Sequence, residues 1–181
     1  MPVAGGEGCL VMREDDAIAA GLAHACILAT LERHGGQPDD PVQIRGGWAM
    51  EREAFWARAG VGPGDMDFVE TYDDYPVMSL IQLEDLGFCD KGEGPAFVRA
   101  NTFTRDGTLP LNTSGGQLSA GQAGAAGGHL GLVEAVRQVT GAAGGWQVPG
   151  ALLALVSGFG IANYDRGVCA TATVLARGRR L

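Results

Sequence analysis

The sequence predicts an α/β layered domain, and three observations carry that prediction. Apolar runs of strand length alternate with stretches of helical periodicity. The chain then ends on two extended runs in succession, residues 151–157 and 168–176. Thirty glycines, many paired as at Gly46-Gly47, Gly115-Gly116 and Gly127-Gly128, collect at the edges of apolar segments, where they mark turns and close backbone passages.

Taken in order, residues 8–12 read as a short apolar strand and 14–23 as a helix. Periodicity alone leaves 25–31 open between helix and buried strand. Residues 42–44 are a further pairing segment. In 48–59, Met50, Phe55, Trp56 and Ala59 recur at mostly helical spacing and Gly60 supplies the stop. After the turn signal Gly62-Pro63-Gly64-Asp65, residues 66–71 are extended, and Val77, Leu80, Ile81 and Leu83 then mark one face of a helix ended by Gly87. The stretch 91–110 reads as a long connection with one short strand near Phe97. Residues 117–140 read as one helix, its first half nearly all Gly, Ala and Ser, pressed against the sheet. The run 151–157 is the central strand, buried on both faces, with 168–176 as its antiparallel neighbour.

Composition narrows the function. At 181 residues, 46% hydrophobic and 19% charged, the chain builds a packed core, and disorder is excluded as a description of the whole. Its 13 Lys+Arg against 21 Asp+Glu, with the basic residues scattered apart from Arg177, Arg179 and Arg180, argue against nucleic acid. No apolar run reaches membrane-spanning length and no signal peptide is evident, so the expected compartment is the cytoplasm, with no membrane association. Cys9, Cys26, Cys89 and Cys169 form no CxxC pair and read as buried thiols; His24, His34 and His129 lack metal-ligand spacing, and no metal is expected.

Four blocks then carry a resemblance. Val69-Glu70-Thr71-Tyr72-Asp73-Asp74-Tyr75 resembles the V-E-x-N-E-A-F or H-D-x-F motif of thiolases at a strand-to-helix turn. Asn112-Thr113-Ser114-Gly115-Gly116, followed by Gly121-Gln122-Ala123-Gly124-Ala125-Ala126-Gly127, resembles their N-x-x-G-G-x-x-x-x-G-H-P-x-G-A-x-G block. Leu155-Val156-Ser157-Gly158-Phe159-Gly160 resembles the C-x-G-G-G strand end, and residues 5–11 the segment D-G-A-A-A-L-V-L. The blocks fall in the family's order. Together they identify the chain as a member of the thiolase superfamily, similar to its C-terminal half and to the lipid-transfer-protein and sterol-carrier branch with its aldolase-like members.

The resemblance implies a thiolase-fold C-terminal domain, with a mixed five-stranded sheet flanked by helices. It implies that residues 1–35 supply the end of the N-terminal-type domain (last strand, helix, connecting strand) and 36–181 the C-terminal domain. It also settles 25–32 as a strand. The half that carries the nucleophilic cysteine has no counterpart here, and Cys9 lies in a block that matches a structural strand rather than the reactive-cysteine motif.

Thiolase chemistry needs a thiolate nucleophile, two donors on the thioester oxygens and a second cysteine to move a proton. By the same resemblance Tyr72 stands for the Asn or His donor, Gln122 for the motif histidine, and Val156 or Ser157 for the second cysteine. None of these forms a thiolate, so thiolysis and Claisen condensation are not expected. Retro-aldol cleavage of a β-hydroxyacyl-CoA needs no covalent nucleophile, and members of the similar aldolases place tyrosines at these positions. The candidate catalytic residues are therefore Tyr72, Gln122 and Asp73. Asp73 and Asp74 also suit the start of the following helix, His129 suits a helix surface, and Tyr164 in the last turn suits a pocket wall.

The resemblance implies an aldolase or a thiolase-like acyltransferase, acting by retro-aldol cleavage or acyl transfer on an acyl-CoA substrate from lipid, steroid side-chain or aromatic acid degradation, with coenzyme A entering only as the substrate's thioester and no other cofactor. It implies a homodimer, or a heteromer with an N-terminal half or with an OB-fold/zinc-ribbon partner. The alternative is a non-catalytic half, or a fragment, that needs such a partner for activity.

Overall fold

In the computed structural model, which describes residues 5–40, 42–122, 124–163 and 166–178, four strands form one mixed sheet. They are β1 (Ala25–His34), β2 (Phe68–Glu70), β3 (Leu153–Asn163) and β4 (Arg166–Arg177), in the order β1-β4-β3-β2. β4 pairs antiparallel with both β1 and β3, and β2 lies parallel to β3. The described residues thus hold four strands rather than the five expected. Residues 8–12 form no strand, with Leu10 and Val11 exposed, and 42–44 form none either, meeting Gly167 of β4 through the Gln43 side chain and not through backbone pairing.

Among the described residues six α-helices accompany the sheet: α1 (Glu14–Ala19), α2 (Trp48–Ala59), α3 (Pro76–Asp85), α4 (Gly94–Ala100), α5 (Gly116–Ser119) and α6 (Leu130–Thr140). α2 stops where Gly60 turns left-handed at φ 70°, its N–H returning to Trp56 O. It buries Trp48, Phe55 and Trp56 against the face of the sheet that carries Ala29, Leu31, Leu155 and Val174. Each such side chain contributes roughly 1.5–3 kcal/mol by leaving water. Trp48 is fixed further by its indole N–H to Thr171 O at 2.8 Å and by stacking on Phe159 at 5.8 Å. α3 starts on Pro76, whose missing N–H costs nothing at a first turn, and packs on α2.

α6 covers the opposite face, burying Ala135 and Val139 with Phe68, Ala154 and Leu175. At its first turn Gly131 passes β2 and β3 so closely that a Cβ there would sit 3.1 Å from Glu70 Cβ and 3.5 Å from Val156 Cγ1. The central run is therefore covered on both sides over 153–157, as expected, while Leu152 at its start stays 49% exposed.

Two expected elements differ. The predicted helix over 117–140 is broken into α5, a 3-10 segment Gly124–His129 and α6, because Gly121, just past α5, takes a positive φ that interrupts the helical ladder. Within 91–110 the segment near Phe97 is the helix α4 and not a strand. It opens Gly94-Pro95, and Gly94 N donates to Glu84 Oε1. The thiols also depart from expectation: Cys9 is exposed and the other three are partly exposed.

Candidate functional site

β2 carries the chain to the edge of the sheet and one hydrogen bond beyond it, where Tyr72 N donates to Ser157 O at 3.0 Å. Side chains then hold that turn. Asn112, itself at φ 49°, accepts Thr71 N on Oδ1 at 2.7 Å, and the Thr71 hydroxyl donates to Ser79 Oγ at 2.8 Å.

Gln82 is the central brace. Fully buried on α3, its Oε1 accepts Tyr72 N at 3.2 Å and the Ser157 hydroxyl at 2.7 Å, while its Nε2 donates to Tyr72 O at 2.7 Å and Met78 O at 2.8 Å. One amide thus locks the backbone of Tyr72 to the end of the central strand. Gln82 lies outside the thiolase-like blocks. Its signal in the sequence is a polar residue set between Ile81 and Leu83 in the apolar stretch of α3.

The Tyr72 ring projects to the segment after α5, where Gln122 Nε2 donates to its Oη at 2.7 Å. With the oxygen so engaged as an acceptor, the phenolic proton is free to bond outward. Burial, and after it the carboxylate of Asp74, raises the Tyr72 pKa above its ordinary value, against the opposing effect of Gln122. The phenol therefore stays protonated near neutrality. A hydrogen-bond donor, not a base, is what this geometry supplies.

Asp73 points elsewhere. Its Oδ1 accepts Gln117 N at 2.6 Å, and a Cβ on Gly116 would run into its carboxylate, so Asp73 seats α5 rather than opening α3. α3 begins instead at Pro76 after Tyr75, with no side-chain cap. Ser157 is buried with its hydroxyl on Gln82, and Val156 packs on the α6 side of the sheet, so the two residues of the strand end face opposite ways. His129 is exposed at the start of α6. Tyr164 lies outside the described residues.

Beneath Tyr72 lies a second polar group absent from the expected set. Glu70, buried on β2, accepts Thr113 N on Oε1 at 3.0 Å; Thr113 Oγ1 lies 2.7 Å from that oxygen and 3.0 Å from Glu134 Oε1. One hydroxyl has one proton for two carboxyls, so both contacts are satisfied only while one acid keeps its own. Glu70 is that acid: burial pushes its pKa up to about 8, the Thr113 bonds oppose the rise, and Glu134 adds to it. Gln138 Nε2 closes the cluster on Glu134 at 2.7 Å.

An open hollow of about 490 Å³, lined by Arg52, Glu53, Trp56, Pro63, Leu86 and Asp90, shares no residue with this group. Physical chemistry favours the Tyr72 turn over that hollow as the site, because at the turn buried polar groups converge and bond one another, whereas Glu53 and Asp90 at the hollow are exposed.

Comparison with known proteins adds sequence kinship to this geometry. A family profile described as "Thiolase C-terminal domain-like" matches residues 36–173. The chain is 43% identical over 86 residues to the 17-hydroxy-3-oxo-4-pregnene-20-carboxyl-CoA lyase of Mycobacterium tuberculosis, covering 48% of this chain and 22% of that protein. It is 30% identical over 150 residues to the benzoylsuccinyl-CoA thiolase subunit BbsB of Thauera aromatica, covering 81% of this chain and 39% of the subunit. Among solved structures, the Ltp2-ChsH2(DUF35) aldolase superposes with a TM-score of 0.72 at 28% identity, over 90% of this chain and 42% of that one. The chain thus spans less than half the length of these relatives. Among the described residues no helix is long and apolar enough to cross a membrane.

Proposed function

Because the chain belongs to the thiolase C-terminal domain-like family, we propose that it supplies the C-terminal part of a lyase that cleaves β-hydroxyacyl-CoA thioesters by retro-aldol chemistry, with Tyr72 as the donor to the thioester oxygen. The observation that carries this reading is the Gln122-to-Tyr72 hydrogen bond, which leaves the phenolic proton free, together with a phenol held in its protonated form. In such a cleavage the β-hydroxyl loses its proton to a base and its C–O bond becomes a carbonyl. The Cα–Cβ bond breaks and its electron pair enters the thioester enolate, which is then protonated at Cα. A donor fixed beside the thioester oxygen stabilises charge where it develops. Coenzyme A belongs to the substrate, and the acyl group comes from steroid side-chain or aromatic acid degradation. The names of the relatives support both classes.

The active form on this reading is an assembly. Leu10, Val11, Met12 and Leu22 before the sheet, and Ile27 and Leu28 on a β1 whose outer edge pairs with no described strand, are exposed, and a partner subunit would cover them.

Tyr72→Phe tests the chemistry in the complete assembly. Loss of one positioned donor lowers cleavage about a hundredfold or more with the fold unchanged. Alkylating every thiol leaves activity largely intact, since no cysteine attacks the substrate. Full activity in Tyr72→Phe, with activity abolished by alkylation of folded protein, would overturn the proposal and restore a cysteine mechanism.

A further inference from the structure

Away from the Tyr72 turn, the fold gathers three potential metal ligands that sequence spacing does not reveal. Glu14 comes from α1, and His24 and Cys26 from the entry into β1. Cys26 Sγ lies 3.1 Å from Glu14 Oε1, His24 Nε2 lies 3.7 Å from the same oxygen, and the three ligand atoms all fall within 4.8 Å of one another.

The imidazole is prepared for a metal in the usual manner. Nδ1 stands 2.9 Å from Leu22 O. A carbonyl can only accept, so Nδ1 carries the proton and Nε2 of the neutral ring presents its lone pair toward Glu14. An outer-nitrogen bond to a backbone carbonyl is how metal-bound histidines are commonly oriented. The ring cannot easily turn away, since Gly178 N donates to His24 O at 2.9 Å and a Cβ at Gly178 would collide with the imidazole. Nε2 is shielded from solvent yet makes no hydrogen bond, the 3.7 Å to Glu14 being too long for one.

We propose that Glu14, His24 and Cys26 bind a zinc ion. Zinc takes thiolate, imidazole and carboxylate at roughly 2.0–2.3 Å in a tetrahedron, which sets neighbouring ligand atoms about 3.3–3.6 Å apart. The separations of 3.1 and 3.7 Å bracket that range. Binding replaces the Cys26 thiol proton, which leaves to solvent, and a water fills the fourth position. The ion ties α1 to the start of the sheet.

A second trio, Glu32, His34 and Cys169, serves as the internal control. There His34 Nε2 already bonds Glu32 at 2.6 Å, and both of those side chains are more than half exposed.

The test uses the full chain, stripped of metal and reduced, with cobalt(II) as a spectroscopic probe and zinc as competitor. The expected result is one equivalent of cobalt giving a thiolate-to-metal charge-transfer band that zinc abolishes. Cys26→Ser and His24→Ala lose the band while keeping their far-ultraviolet circular dichroism, Glu14→Gln weakens binding about tenfold or more, and Cys169→Ser retains the band. No band in the unaltered chain, or a band that survives Cys26→Ser, would refute the site and leave the trio a hydrogen-bonded cluster.

Discussion

Replacing Gln82 by leucine removes one amide that serves four groups, and the structure allows its cost to be worked out. Leucine fills a similar volume, so the cavity contribution is small. Tyr72 N still reaches Ser157 O, and Met78 O keeps its place in the helix. Two groups lose a partner: the Ser157 hydroxyl, buried to 5% exposure, and the Tyr72 carbonyl. Each stranded buried polar group costs about 1–3 kcal/mol, and the leucine's own burial offsets part, leaving roughly 2–4 kcal/mol. For a chain of this length the melting temperature falls by roughly 5–15 °C. Urea unfolding followed by far-ultraviolet circular dichroism measures it, with an unchanged denaturant slope as evidence of unchanged compactness. The second arm is Ser157→Ala on the Gln82→Leu background, which deletes the stranded hydroxyl and recovers about 1 kcal/mol or more. A cost under about 1 kcal/mol for Gln82→Leu, or single-site effects that simply add, would refute the brace.

Two further outcomes follow from the same structure. The Glu70 carboxyl has a folded pKa of about 8 against an ordinary 4.5, so the folded chain holds that proton more tightly than the unfolded one. Its stabilising contribution is complete below about 4.5 and is lost as pH rises through about 8. Unfolding free energies measured across that window should therefore decline in the parent and flatten in Glu70→Gln; an equal decline in both would discount Glu70. The exposure of the apolar side chains Leu10, Val11, Ile27 and Leu28 predicts self-association of the isolated chain, so sedimentation should give a mass above the 18.7 kDa monomer, and a clean monomer at high concentration would count against it.

What the sequence makes legible is what hydrophobic pattern and punctuation control. β3 and β4 are continuous apolar or alternating runs, α2 is bounded by Gly60, and α3 by Pro76 and Gly87, so each stands near its predicted place. The glycine-rich stretch before α6 escapes such reading because Gly and Ala carry no periodicity, and only the positive φ values at Gly115, Gly116 and Gly121 show that the chain turns there. α4 had a usable signal in Gly94-Pro95, a proline at a first helical turn, which the surrounding polarity masks. At the site, Tyr72 and Gln122 are legible through the resemblance of their blocks, and they meet. Asp73 is diverted because a carboxylate beside Gly116 finds the nearest unpaired N–H on α5. Gln82 and the Glu70, Thr113 and Glu134 cluster stay hidden because a polar residue in an apolar stripe declares burial but not its partner.

The strand order β1-β4-β3-β2 also has a consequence for how the molecule is made. Both inner strands belong to the hairpin β3–β4, which is synthesised after both outer strands, and these have no described strand to pair with until it arrives. Nearly all the helices are thus out before the sheet exists, and β1 and β2 must wait unpaired across much of translation. A chain stalled before residue 153 holds no sheet at all. The apolar faces of α2 and α6 then have no sheet to cover, so a nascent chain of this topology exposes apolar surface until the β3–β4 hairpin closes.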